Sequence, residues 1–445
     1  MEHFSPFVVG GATLRAARHP IPAPTYLLPQ PVEPPASPCR FCGEPLDYTF
    51  VDLGTSPLCQ HHVRPHEFNR AEACYPLHAR VCRSCFLVQL DEFVTSEEIF
   101  QNDYAYFSSY SASWLRHARR YTDMATERFG LTSSSLVVEV ASNDGYLLQY
   151  FVEKNIPVLG IEPAGNVASY AQAKGINTLV RFFGTETARY VAQLLGQADV
   201  LLGNNVLAHV PDINDFVAGL GLLLKPDGVV TMEFPHLLRL MEGNQFDTIY
   251  HEHFSYLSFY TVERIFAHHG LTLFDVEELP THGGSLRIFA RHSASAAWPV
   301  TERVGTLRRR ELAAGITDLA YYSDFEEKAK ETKRKLLEFL IEAKREGKTV
   351  VGYGAPGKGN TLLNYCGIRT DFLDYTVDVS PHKQGNFLPG TRIPICHPDR
   401  IRQTQPDYVL ILPWNLQEEI MEQMQDIRAW GGRFVVPIPE VQVYA

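Results

Sequence analysis

From Leu136 to Arg291 the chain alternates short apolar runs with longer stretches of helical spacing. The runs Leu136 to Val140, Val158 to Ile161, Ile176 to Val180, Asp199 to Leu202, Val229 to Phe234, Leu271 to Val276 and Leu286 to Arg291 predict strands. Helices fill most of the intervals, and this alternation predicts a mostly parallel sheet with ligands at the carboxyl ends of its strands. A loop joins the last two runs, which predicts an antiparallel edge. Residues 302 to 347 are strongly charged and carry Leu336, Leu337, Phe339, Leu340 and Ala343 at helical spacing, the pattern of a helical connector with a solvated face. A second alternating unit opens with Thr349-Val-Val-Gly-Tyr-Gly and continues through Asp374 to Val379, Asp407 to Leu412 and Phe434 to Ile438.

The chain before Leu136 reads differently. Residues 1–37 end in a proline-heavy tract and predict a loosely ordered extension. Cys39-Arg-Phe-Cys42 and Cys82-Arg-Ser-Cys85 then form two Cys-x-x-Cys knuckles, each able to place two thiolates on one tetrahedral zinc. Four thiolates leave no open position, so the expected zinc is structural. Cys59, Cys74, His61, His62 and His66 lie between the knuckles as rival ligands. Tyr104-Ala-Tyr106-Phe107-Ser-Ser-Tyr110 is dense in aromatics and predicts a packed seam, or a lid over the site that follows. The predicted α/β chain is therefore an extension (1–37), a zinc-binding module (38–100), a first α/β domain (101–301), and a helical connector with a second, Rossmann-like α/β domain (302–445).

Composition narrows the function. With 45% hydrophobic and 20% charged residues this is an ordinary globular chain, and 40 basic against 51 acidic residues give a net charge of −11. That balance argues against a broad nucleic-acid or anionic-membrane surface. No apolar run approaches the ~20 residues that span a bilayer, and the N-terminus lacks the form of a secretory signal. The expectation is a cytoplasmic enzyme, in which eight cysteines serve as thiols or metal ligands.

The two α/β units carry different glycine turns. In the first, Glu139-Val-Ala-Ser-Asn143-Asp144-Gly145 follows a strand, and Glu162 closes the next strand in Gly160-Ile-Glu162-Pro. An acidic residue there accepts both ribose hydroxyls of an adenosine. The missing Gly-x-Gly-x-x-Gly argues against a pyrophosphate, so S-adenosylmethionine fits better than a dinucleotide. In the second, Gly352-Tyr-Gly354-Ala-Pro-Gly357-Lys358-Gly359 satisfies a dinucleotide fingerprint, with Asp374 or Asp378 as ribose acceptors, but fails as a Walker loop because Gly359 replaces the magnesium-binding hydroxyl. It suits a substrate diphosphate or an empty turn, with NAD as the rival.

Tyr250-His251-Glu252-His253 falls at the carboxyl edge of the first sheet, and His209 follows another strand of that sheet. The spacing does not match a zinc-protease motif; proton abstraction is the simpler role, with a carboxylate fixing a histidine's tautomer.

Taken together, the paired knuckles, Val138-Glu-Val-Ala-Ser-Asn-Asp-Gly, Gly160-Ile-Glu-Pro, Asn204-Asn-Val-Leu-Ala-His-Val, Tyr250-His-Glu-His-Phe, His282-Gly-Gly-Ser-Leu-Arg287, Gly352-Tyr-Gly, Gly359-Asn-Thr-Leu-Leu-Asn-Tyr and Lys383-Gln-Gly resemble the S-adenosylmethionine-dependent sugar C-3 methyltransferases. That family acts on dTDP-linked 4-keto-deoxysugars in antibiotic-sugar biosynthesis. The resemblance covers the chain from Cys39 onward and implies a monomeric enzyme with a structural zinc at Cys39, Cys42, Cys82 and Cys85. It implies a donor site at Glu139, Ala141, Asn143, Gly145, Glu162, Asn204 and Asn205. His253 would be the base at C-3, Glu252 its support, and Tyr250 and His209 its neighbours. Tyr104, His282, Arg287, Tyr353, Lys358, Asn360 and Lys383 would bind the nucleotide sugar. The second glycine loop departs from the family pattern at Ala355-Pro356-Gly357. The rivals are an NAD-dependent sugar dehydrogenase or epimerase, and a non-catalytic zinc-ribbon binding subunit.

Overall fold

The computed structural model describes residues 37–100 and 104–445, so the expectation for the proline-rich extension lies outside the described residues except at Ser37. The chain then opens on an antiparallel meander of Tyr48–Ser56, Tyr75–Val81 and Val88–Leu90. In Tyr75–Val81 the alternate residues Leu77, Ala79 and Val81 are buried, the period-two pattern of a half-covered sheet. A fourth strand, Ser255–Tyr256, joins this sheet beside Val88–Leu90 although it comes from the middle of the chain.

The central sheet has seven strands in the order Leu271–Leu279, Ser285–His292, Leu224–Pro235, Ala198–Asn204, Val137–Val140, Val158–Ile161, Thr178–Leu179. All seven predicted runs are present. Val137–Val140 is buried at every position, as a parallel strand covered on both faces requires. Successive strands leave it on opposite sides, so its carboxyl end is the topological switch point where α/β sheets bind ligands. Ser285–His292 is antiparallel to both neighbours, and the predicted antiparallel pair does close that edge.

Helices Glu302–Ala314 and Phe325–Arg345 follow. The longer one buries Phe325, Ala329, Thr332, Leu336, Leu340 and Ala343, a single stripe at three- and four-residue steps. The shorter is anchored by Glu311, whose buried carboxylate accepts from the Phe259 and Tyr260 amides (2.7 Å each) and from His236 Nε2 (2.6 Å). That places a negative charge on the N-terminal turn of helix Phe259–His268, where the helix dipole favours it.

The last sheet runs Ile395–Cys396, Thr376–Val377, Val350–Tyr353, Tyr408–Ile411, Arg433–Val436, Gln442–Tyr444 and is parallel except for its final strand. The first and last of these were not predicted, being two and three residues long. The segment between Tyr48–Ser56 and Tyr75–Val81 reaches across to this unit. Val63 pairs with Phe387, Arg392 with Glu72, and the Phe68 and Phe387 rings meet edge to face.

Candidate active site

The carboxyl edges of the two parallel sheets share one cavity of about 600 Å³. Gln60 reaches it from the zinc-module side, Glu162, His209 and His253 from the central sheet and its loops, and Lys358 and Lys383 from the C-terminal unit.

The turn after Val137–Val140 holds Ala141, Asn143 and Gly145 at φ of 56°, 50° and 75°. At Gly145 the reason is both conformational and steric: a Cβ would lie 2.4 Å from Ile176 Cδ1 and 3.2 Å from Ala171 Cβ. A Gly145→Ala enzyme is therefore expected to lose about 2–4 kcal/mol of stability together with donor affinity, readable by thermal unfolding and calorimetry. Glu162 accepts from the amides of Asn143 and Ala164, at 2.9 Å each, and burial pushes its carboxyl up to about 7. Each oxygen keeps a lone pair for a further donor. Across the cavity stand Asn204 and Asn205, the latter at φ 56° with a buried, unpartnered Oδ1. These acceptors, and the absence of a basic side chain on the turn, suit an adenosine without phosphates. Glu139 and Gly145 lie behind this wall. Glu139 is fully enclosed, neither oxygen has a partner, and burial holds its carboxyl well above the usual range.

The aromatic segment covers the turn rather than packing a remote seam. The Ser108 amide donates to Asn143 Oδ1 (2.9 Å), Asn143 Nδ2 to the Tyr106 carbonyl (3.2 Å), and the Ser109 amide to Asp144 Oδ2 (3.3 Å). Tyr104, Tyr106, Trp114, Phe182 and Phe183 add aromatic wall. The last two went unrecognised in the sequence, although an aromatic pair just past a predicted strand on the ligand edge is a usable signal.

His253 Nδ1 faces the Thr248 carbonyl at 2.8 Å, so Nδ1 carries the proton and Nε2 the lone pair. Burial, reinforced by His209, holds this imidazole well below its usual range and therefore neutral. The His209 and Tyr250 rings lie 4.6 and 4.0 Å from it, centre to centre. Burial takes His209 down to about 4. Glu252 is not the histidine's support: the Thr248 carbonyl fills that role. Glu252 instead accepts from Cys59 Sγ (3.3 Å) and the Tyr104 hydroxyl (3.4 Å), and burial raises its carboxyl to about 7. His251 leaves the cavity altogether, its Nε2 donating to the Pro76 carbonyl at 3.1 Å.

The residues expected at the substrate divide. Lys358 lines the cavity, donates to Asn415 Oδ1 (2.7 Å) and lies 4.4 Å from the centre of the Trp414 ring; burial lowers its ammonium to about 8. Lys383 lines it too, donating to the Ala355 carbonyl at 2.9 Å. Tyr104 and His282 are on the wall. Helix Gly357–Cys366 begins there, and a Cβ on Gly357 would sit 2.9 Å from Cys59 Sγ and 3.4 Å from Tyr250 Cζ. Arg287, Tyr353 and Asn360 are not on the wall. Arg287 stands opposite Glu233 in the antiparallel ladder and is spent on Glu233 (2.7 Å) and Glu277 (3.1 Å). The Tyr353 hydroxyl donates to Gln423. Asn360 is enclosed, and its amide has no partner.

The four predicted zinc ligands come together. Their sulfurs all lie within 4.8 Å of one another, with Cys39–Cys85 and Cys42–Cys82 at 3.5 Å. Tetrahedral Zn–S bonds of about 2.3 Å require sulfurs about 3.8 Å apart, so the set fits zinc. Both knuckles turn alike: the amides of Gly43 and Phe86 donate to the carbonyls of Cys39 and Cys82, and both residues have positive φ. Cys59, Cys74, His61, His62 and His66 take no part.

Comparison with known proteins agrees with this arrangement. Residues 39–100 match a family of zinc binding domains, 114–276 a methyltransferase domain, and 280–439 a C-methyltransferase C-terminal domain. The chain is 37% identical over 414 residues to the C-methyltransferase NovU of Streptomyces niveus, covering 93% of this chain and 98% of that one. Two solved structures overlap it only locally. They are the magnesium protoporphyrin IX methyltransferase of Synechocystis PCC 6803 (15% identity, TM-score 0.32, 40% of this chain and 83% of that one) and the 1,6-didemethyltoxoflavin-N1-methyltransferase of Burkholderia thailandensis (18%, 0.33, 46% and 95%). Identity along nearly the whole length, with the three matched domains, places this chain in the family of zinc-binding, S-adenosylmethionine-dependent C-methyltransferases.

Proposed function

We propose that this enzyme methylates C-3 of a nucleotide-linked 4-keto-deoxysugar, with dTDP as the nucleotide. The observation that carries the reading is the place of His253: its imidazole is held neutral with Nε2 unprotonated, in a single cavity that runs from the donor turn to Lys358 and Lys383.

A carbon beside a ketone gives up a proton to an imidazole when a hydrogen-bond donor stabilises the oxygen that becomes anionic. His253 Nε2 takes the C-3 proton, and a tyrosine hydroxyl, Tyr250 or Tyr104, donates to the enolate oxygen. S-adenosylmethionine, when bound, supplies an electrophilic methyl on a sulfonium. The C-3 carbon forms its new carbon–carbon bond as the sulfur–methyl bond breaks, and His253 keeps the proton until the product leaves. Glu162, Asn204 and Asn205 hold the donor. The first turn of helix Gly357–Cys366, with Lys358 and Lys383, holds the diphosphate.

The dehydrogenase reading has less support, because neither of its ribose acceptors lines the cavity: Asp378 accepts from the amides of Ala355 and Ser380, at 2.8 Å each, and Asp374 pairs with Lys344.

Incubation with methyl-labelled S-adenosylmethionine and a dTDP-4-keto-deoxysugar is expected to label the sugar at C-3; an unlabelled sugar rejects the proposal. A diphosphate facing Lys358 also has a pH signature. The free ammonium is charged below about pH 8, so kcat/KM should fall as pH rises through that value. Lys358→Gln should raise KM about 10- to 100-fold, the worth of one charge-assisted contact, and abolish that limb. An unchanged profile would remove Lys358 from the site.

A further inference from the structure

Two loops deliver the paired imidazoles. One follows Ala198–Asn204 and carries His209; the other, ahead of Ser255–Tyr256, carries His253. Their rings are 4.6 Å apart, and no hydrogen bond between them fixes that spacing among the described residues. Both loops are held from the same side by the residue that sits between two zinc ligands. Arg40 Nη1 donates to the Pro211 carbonyl at 2.8 Å, two residues past His209. Nη2 donates to the Leu90 carbonyl, and the guanidinium lies 5.4 Å from the centre of the Phe254 ring, next to His253.

The backbone around Arg40 is fixed from both sides. Its amide donates to Gln89 Oε1 (2.9 Å), while Gln89 Nε2 donates to Cys39 Sγ (3.1 Å). Gln89 pairs with Ser255 in the strand ladder, and the Leu90 amide donates to the Phe254 carbonyl at 3.0 Å. On the other side Asn214 Nδ2 donates to the carbonyls of Arg40 and Phe41, at 3.2 and 2.9 Å. A zinc held by the four thiolates would fix Cys39 in place, and the planar guanidinium of Arg40 presents its donors in fixed directions.

We infer that Arg40 is a positioning residue that sets the His209–His253 pair, so that the zinc site fixes the geometry of the base as well as the fold of its module. This rests on the reading of His253 as the base. Displacement of a reacting group by about 1 Å costs on the order of 100-fold in rate, which is the scale expected here.

The test compares Arg40→Met, which keeps the aliphatic stem over Phe254 and removes the donors, with Arg40→Lys, which keeps the charge and restores a donor. Arg40→Met should hold the wild-type content of zinc by elemental analysis and bind S-adenosylmethionine as before. Its kcat should fall about 10- to 100-fold with KM little changed. In spectra of enzyme labelled with ¹⁵N-histidine, the His253 signals, assigned by their loss in His253→Asn, should depart from the pattern of an Nδ1-protonated ring. Arg40→Lys should recover part of both. Wild-type kcat with zinc bound, or unaltered His253 signals, overturns the inference, as does loss of activity only in step with loss of zinc. If Arg40→Met does not fold, the same readings on Arg40→Lys decide. Should the wild-type enzyme leave the keto sugar unlabelled, the functional reading fails, and the imidazole signals still decide the role of Arg40.

Discussion

His253→Asn is expected to lower methyl transfer about 1000-fold, within the 10²- to 10⁴-fold range of a positioned general base, and to leave S-adenosylmethionine affinity unchanged by calorimetry. The two parts of this expectation separate because the wall proposed for the donor, Ala141, Asn143, Glu162, Asn204 and Asn205, makes no hydrogen bond to His253. Wild-type enzyme should also exchange the C-3 hydrogen of the keto sugar with solvent deuterium before the methyl arrives, and the variant should not. The burial that keeps His253 neutral predicts the pH dependence. A histidine whose folded value lies below its ordinary 6.5 stays unprotonated as pH falls through that value, so transfer should show no loss attributable to His253 until the solution is well below pH 6.5. Undiminished exchange in His253→Asn would assign the proton transfer to another group.

Cys85→Ser should have an effect of similar size by a different route. Three thiolates bind zinc far less tightly than four, and the free energy of structural zinc, about 10–16 kcal/mol in isolated fingers, is folding free energy. The strand beyond Cys85, Val88–Leu90, is three residues long and pairs with Ser255–Tyr256, which begins two residues after His253. Loss of zinc should therefore loosen the segment that carries His253. The expected outcome is a protein with little zinc, more than about 100-fold reduced transfer and lower thermal stability, but with measurable donor binding. A zinc-free variant with full activity would show that the metal is dispensable.

What could be read from the sequence was local. The strands announced themselves because parallel strands buried on both faces are mostly apolar, and Val137–Val140 is such a run, broken only by the buried Glu139. The zinc ligands were readable because a knuckle is complete within four residues. Glu162 and the turn before it were readable because their spacing follows from one strand–helix–strand unit. The misplacements of Arg287, Tyr353 and Glu252 share one cause, which is that a side chain's partner sat far away in sequence. Arg287 looked available until the ladder set it against Glu233. Glu252 looked like the histidine's neighbour because it is adjacent in sequence, yet its partners are Cys59 and Tyr104. Gln60 gave no motif and reached the cavity through a loop path that only packing determines.

The single cavity also limits how this family can be recombined. Its walls come from the segment after the first knuckle, the loops of the central sheet and the first turn of helix Gly357–Cys366, and Gly357 leaves no room for a Cβ beside Cys59 and Tyr250. These surfaces fit one another only as a set. A chimera that imports a C-terminal unit to change the substrate accepted must therefore import the strap at Cys59 to Glu72 with it, because Val63 and Glu72 are bonded to Phe387 and Arg392 of that unit. Crossover points placed inside this set would divide one binding surface between two ancestries, whereas a crossover in the solvated face of Phe325–Arg345, with the strap exchanged in parallel, would keep it whole.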